Sequence, residues 1–129
     1  MIDKKTSVPY DRARIAEFVA QELFSLGIFL HLNGYLYLRE AITEVVCNGG
    51  EAYGITKILY PHIASAFGTS VCAVERAIRT AIKGIYKGSN MDKLKKISNI
   101  FTDEDLHFTN KEFILIIANQ VEKELNLQH

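Results

Sequence analysis

Among the 129 residues there are only two cysteines, Cys47 and Cys72. Two thiols without metal-ligand spacing make neither a disulfide framework nor a zinc site, so a reducing, cytoplasmic setting is expected. Long apolar runs are also missing. The run Phe113–Ala118 has six residues, against the roughly 20 that a membrane helix needs. No apolar stretch follows Met1-Ile2-Asp3-Lys4-Lys5, so the start does not read as a signal peptide. No segment alternates polar and apolar residues for long, and two prolines are too few to break up a helical pattern. There is no glycine-rich phosphate loop and no nucleophile paired with a base. Enzymatic chemistry, a bound cofactor and a metal site are therefore not expected.

Net charge is lacking too, since 15 basic and 15 acidic side chains cancel. Neutrality argues against a nucleic-acid partner unless the charges are segregated along the chain, and they are. Residues 69–96 hold seven basic side chains (Arg76, Arg79, Lys83, Lys87, Lys93, Lys95, Lys96) against Glu75 and Asp92. Residues 103–129 hold six acidic against two basic ones. One side of the molecule is thus expected to be basic, as phosphate contact requires.

With 48% apolar and 23% charged residues, the composition is that of a globular domain. The length suits a single domain spanning 1–129, with residues 1–10 as a loose lead-in. Apolar residues recur at helical spacing almost throughout. Ile15, Phe18, Val19, Leu23 and Leu26 mark one helix, with Asp11 as its cap and Gly27 as its close. After a connector ending in Asn33-Gly34, Tyr35, Leu38, Ile42, Val45 and Val46 mark a second, stopped by Gly49-Gly50. Residues 54–60 read as a short helix or turn leading into Pro61. Pro61–Phe67 is a short helix, Gly68 a turn, and about 70–87 a longer helix with Val71, Val74, Ile78, Ala81, Ile82 and Ile85 inward. A basic helix follows, with Met91, Leu94, Ile97 and Phe101 inward. The last helix opens on the capping box Thr109-Asn110-Lys111-Glu112 and buries Phe113, Ile116, Ile117, Val121 and Leu125. The fold class is all-α, about six helices.

The informative stretch is Pro61–Arg79. A short helix, a turn containing glycine and a longer helix are the parts of a helix-turn-helix. Ala64 is small where the second helix crosses, and Gly68 falls where the turn needs a left-handed backbone. Ile63, Phe67, Val74 and Ile78 are apolar where the helices pack, and Ala77 permits close approach. The opposite face of the second helix presents Cys72, Ala73, Glu75, Arg76, Arg79 and Thr80. Arg76 and Arg79 match the paired acceptors of guanine, and Glu75 matches the amino donor of cytosine. Thr69, Ser70, Lys83 and Lys87 are placed to meet the DNA backbone.

Four blocks carry a family resemblance: Gly34-Tyr-Leu-Tyr-Leu-Arg-Glu-Ala-Ile42, Ile55-Thr-Lys-Ile-Leu-Tyr-Pro-His-Ile-Ala64, Val74-Glu-Arg-Ala-Ile-Arg79 and Thr109-Asn-Lys-Glu-Phe-Ile114. In this order they resemble the DNA-binding effector domain of the stage-zero sporulation protein A family, over about residues 15–125. The resemblance implies six helices with a helix-turn-helix at their middle. It also implies double-stranded promoter boxes, often in tandem and bound by paired copies, and regulation through RNA polymerase and its sigma factor. Glu75, Arg76 and Arg79 match the family's Ser-Arg-Val-Glu-Arg-Ala-Ile-Arg run. Ala73 replaces its first arginine and Cys72 its serine, so one family base contact is missing. His62 stands where the family has aspartate. The family's effector domain normally follows a phosphoacceptor receiver domain, for which this chain has no room, and a natural single-domain relative is the expectation.

A competing reading is a protein-interaction module that has lost DNA binding and modulates a full-length regulator; Ala73 supports it, while Glu75, Arg76 and Arg79 oppose it. His31, His62, His107 and His129 are scattered, with no partner expected at ligand spacing. Cys47 reads as a core residue and Cys72 as exposed near the start of the recognition helix. Asp103-Glu104-Asp105 reads as an acidic loop, and Tyr35, Tyr37 and Tyr60 as packing residues.

Overall fold

The computed structural model describes residues 11–28, 32–48, 54–86, 91–99 and 107–127. Among them are six α-helices, here α1 (Arg12–Ser25), α2 (Asn33–Cys47), α3 (Tyr60–Ala66), α4 (Val71–Tyr86), α5 (Met91–Ser98) and α6 (Asn110–Leu127). The all-α expectation holds, and none of these helices is long and apolar enough to cross a membrane. Gly49-Gly50, Lys87, His31, His129, Phe101 and the acidic triplet 103–105 lie outside the described residues.

Local chemistry sets the helix ends. The Asp11 carboxylate accepts from the Arg14 N–H at 2.9 Å and starts α1. At its other end, the Gly27 N–H donates to the Phe24 carbonyl and the Ile28 N–H to that of Leu23, a Schellman-type close. The α6 capping box forms in both directions. The Glu112 N–H donates to Thr109 Oγ1 at 3.1 Å, and the Thr109 N–H to Glu112 Oε1 at 2.9 Å.

The second helix begins at Asn33, so Asn33 and Gly34 form its first turn and do not end a connector. It packs against α1, α4 and α6. That central position explains why it buries Tyr37, Ala41 and Thr43 beyond the single face read from periodicity. The buried Thr43 hydroxyl is satisfied by donating to the Arg39 carbonyl at 2.6 Å. In α6, Ile114 and Ala118 are likewise buried although they lie beside the expected stripe.

Residues Ile55–Leu59 form a π-helical turn that runs directly into α3. The Ile58 and Leu59 N–H groups both donate to the Gly54 carbonyl, each at 3.0 Å. Leu59 has helical dihedrals, so α3 continues the turn before it, and Pro61 sits in the first turn where its missing N–H is tolerated.

Candidate nucleic-acid interface

The turn between α3 and α4 is fixed by backbone bonds. Phe67 N–H donates to Ile63 O at 3.0 Å, and Thr69 N–H reaches back to Ala64 O at 2.9 Å. Between them Gly68 has φ +63°, the left-handed conformation expected from its position. Ser70 caps α4: its Oγ accepts from the Ala73 N–H at 3.1 Å. Thr69 beside it is half-buried.

Helix α4 buries Val74, Ile78, Ala81, Ile82 and Ile85. Its other side exposes Cys72, Arg76, Arg79, Thr80 and Lys83; Cys72, Arg76, Arg79 and Lys83 follow at three- and four-residue steps and so form one stripe, with Thr80 beside it. Glu75 is half-buried at the edge of this stripe. The structure thus gathers Arg76, Arg79 and Lys83 on one exposed face, with Glu75 beside them and Thr69 and Ser70 at its amino end. Lys87 lies outside the described residues.

Two clefts flank the stripe. On one side Leu32, Asn33 and Gly34 of the α2 start face Ala73, Arg76, Ala77 and Thr80 across a cleft of about 300 Å³. Here α2 and α4 nearly touch through Gly34 and the Ala77 carbonyl. The close approach expected at Ala77 is made to α2. On the other side a cleft of about 410 Å³ lies between α4 and the start of α6. Asn110 spans its base: its Nδ2 donates to the Glu75 carbonyl at 3.1 Å, and its side chain also bonds the Tyr60 phenol. Burial pushes the Tyr60 phenol above its usual value, against that bond. Tyr86 closes the far end by accepting from the Phe108 N–H at 2.6 Å, with His107 edge-on to its ring.

His62 is not isolated, contrary to the expectation for the four histidines. Its Nε2 lies 3.0 Å from Glu40 and 3.6 Å from Glu44, and Arg12 pairs with both carboxylates at 2.6 Å. Glu40, Glu44 and His62 bring three donor atoms within 4.8 Å of one another, a set that a cation could occupy. The Arg12 guanidinium already offsets one of its two negative charges. The signal in the sequence was the Glu40–Glu44 spacing of one helical turn; what it lacked was any hint that α1 and α3 meet there. The cluster ties three helices on a side away from the α4 stripe. Cys47 is half-buried, and Cys72 is exposed.

Six helices among the described residues, with a short helix, a turn closed at Gly68 and a longer helix at their middle, match the arrangement implied by the four sequence blocks. The model of one protein family, described as the C-terminal domain of sporulation initiation factor Spo0A, matches residues 19–121. This match takes in α2 to α5 whole, half of α1 and two thirds of α6, and the chain therefore belongs to the Spo0A C-terminal family, a DNA-binding regulatory family rather than an enzyme family.

Proposed function

We propose that the chain is a sequence-specific regulator of transcription that lays α4 in the major groove of double-stranded promoter DNA. In this reading residues 1–129 act as one DNA-binding domain in the cytoplasm. Arg76 and Arg79 each fork onto a guanine, and Glu75 accepts from a cytosine amino group. Thr69, Ser70, Lys83 and Lys87 meet phosphates and fix the register. The observation behind it is the exposed stripe on α4, in which Arg76, Arg79 and Lys83 share one face while the opposite face is locked in the core. Tandem boxes would be filled by paired copies, and the output would pass through RNA polymerase and its sigma factor.

Ala73 gives the rival reading its one observation, because an alanine on this face has nothing with which to read a base. The test is a gel shift with duplex DNA selected by the protein from random sequence, repeated across salt concentrations. About four to six phosphate contacts give a log–log slope of roughly −4 to −5. Absence of duplex binding at low salt would leave the interaction-module reading in its place.

A further inference from the structure

The cleft between α4 and α6 extends the proposed interface onto a second element. Its lining includes Arg79 and Lys83 from α4, and His107 and Lys111 from the start of α6. Lys111 belongs to the acidic segment 103–129 of the sequence, yet the fold carries it beside Arg79 and Lys83. Glu75 and Glu112 offset part of this charge, Glu112 being felt at Tyr86, but Arg79, Lys83 and Lys111 outnumber them. Glu112 turns its carboxylate back to cap the Thr109 N–H at 2.9 Å, which leaves Glu75 as the carboxylate lining the cleft among the described residues. Tyr60, Ile82, Tyr86 and Phe108 complete the lining, and because Lys83 and Lys111 are exposed their ammonium groups lie on the solvent side, at the mouth.

We propose that this mouth seats one backbone phosphate of the duplex whose groove α4 enters, with Lys83 and Lys111 as its ligands from two helices. The proposal rests on the DNA-binding reading and adds to it Lys111 as a contact and Asn110 as a positioning residue. Charge complementarity and continuity with the α4 stripe argue for a DNA phosphate as the occupant. The capping box occupies the Thr109 and Glu112 N–H groups, so the proposed ligands are the side-chain ammonium groups. Asn110 holds the start of α6 to the Glu75 carbonyl and to Tyr60, so the Lys111 ammonium moves with the helix that reads the bases. A rigid second anchor of this kind fixes how deep and at what angle α4 lies in the groove.

The test measures binding of the intact chain to its selected duplex and to an unrelated duplex, from 50 to 200 mM salt, for wild type, Lys111→Ala and Lys123→Ala. Lys123 is exposed on the same helix, about 18 Å further along at 1.5 Å per residue, and serves as the charge control. Lys111→Ala is expected to weaken both duplexes by a similar factor and to make the salt slope shallower by about 0.9. The fourfold rise in salt then weakens the variant about 3.5-fold less than it weakens wild type. Lys123→Ala should track wild type. Asn110→Ala should flatten the slope in the same way, and a single neutral methylphosphonate at the contacted position should weaken wild type but not Lys111→Ala. If wild type binds with a steep salt dependence and Lys111→Ala matches it, the cleft is not a phosphate seat and the α4 reading stands. If Lys111→Ala and Lys123→Ala weaken binding alike, the effect is general charge and the seat is likewise overturned. If wild type binds no duplex, both readings fall.

Discussion

Gly34 lies directly under the backbone of Ala77: a β-carbon added at Gly34 would stand 2.3 Å from the Ala77 carbonyl oxygen and 2.8 Å from the Ala81 β-carbon. The first turn of α2 thus supports the middle of α4, and no flexible side chain is there to give way. Gly34→Ala should force the two helices apart. Overpacking of this kind costs about 1–3 kcal/mol, measurable as a lower urea midpoint. DNA affinity should fall as well, because the displaced helix is the one proposed to read bases. A variant that unfolds and binds like wild type would show that the two helices do not cross this closely.

Gly68 demonstrates a different constraint. A β-carbon there meets nothing within 4 Å, yet φ is +63°. The difficulty is conformational and not steric, so residue type should rank the outcome. A left-handed backbone costs an ordinary residue about 1–2 kcal/mol, less for asparagine and more for a β-branched residue. Gly68→Asn should therefore melt near wild type and Gly68→Val well below it. Equal melting of the two variants would mean the turn relaxes, and the α3–α4 angle would not depend on this residue.

These two glycines also mark what the sequence could and could not disclose. Gly68 was legible because its role is local: a turn of known length between two periodic helices demands a left-handed residue. Gly34 was read as part of a connector, since its reason is a neighbour 43 residues away in sequence, and periodicity carries no such information. The same holds for Lys111. Segment charge placed it on an acidic side, whereas Asn110 ties the start of its helix to α4. On α4 the exposed Cys72, Arg76, Arg79 and Thr80 were legible because a single amphipathic helix states both its faces, whereas Ala73 and Glu75 are half-buried by neighbouring elements that periodicity does not disclose.

Two carboxylates should govern the acid and neutral limbs of stability in opposite senses. Burial by itself pushes the Glu40 carboxyl up, but the His62 hydrogen bond and the Arg12 charge together outweigh it and hold the group below its ordinary value. Its stabilisation is therefore complete above the ordinary carboxylate range and is lost as pH falls through the lowered folded value. Glu40→Gln should be less stable at neutral pH and should converge on wild type in acid. Glu22 behaves inversely. Burial and the nearby Glu124 raise its pKa against the pull of Lys93, and its Oε1 has no hydrogen-bond partner among the described residues. The unfolded chain ionises it first, so it costs stability from the ordinary value upward, fully above the raised one. Glu22→Gln should raise the urea midpoint at neutral pH and leave it unchanged in acid. Parallel stability–pH curves for wild type and either variant would refute the corresponding assignment.

The division of labour on α4 can be measured with two substitutions one face apart. Arg76 is exposed and lines the cleft against α2; Lys83 is exposed two turns on and lines the cleft against α6. A guanidinium can make two parallel hydrogen bonds to the edge of a guanine, and a lysine cannot reproduce that geometry. Arg76→Ala should cost about 1–3 kcal/mol on the selected duplex and flatten preference at one base pair. On a duplex already mismatched there it should cost little more than a surface charge. Lys83→Ala should weaken matched and mismatched duplexes alike and make the salt slope shallower by about one. Neither side chain enters the core, so both variants should melt like wild type, and any change in binding is then a change at the interface. Should Arg76→Ala weaken both duplexes equally, Arg76 holds a phosphate. Base reading would then fall to Glu75 and Arg79, on the α6 side of the helix.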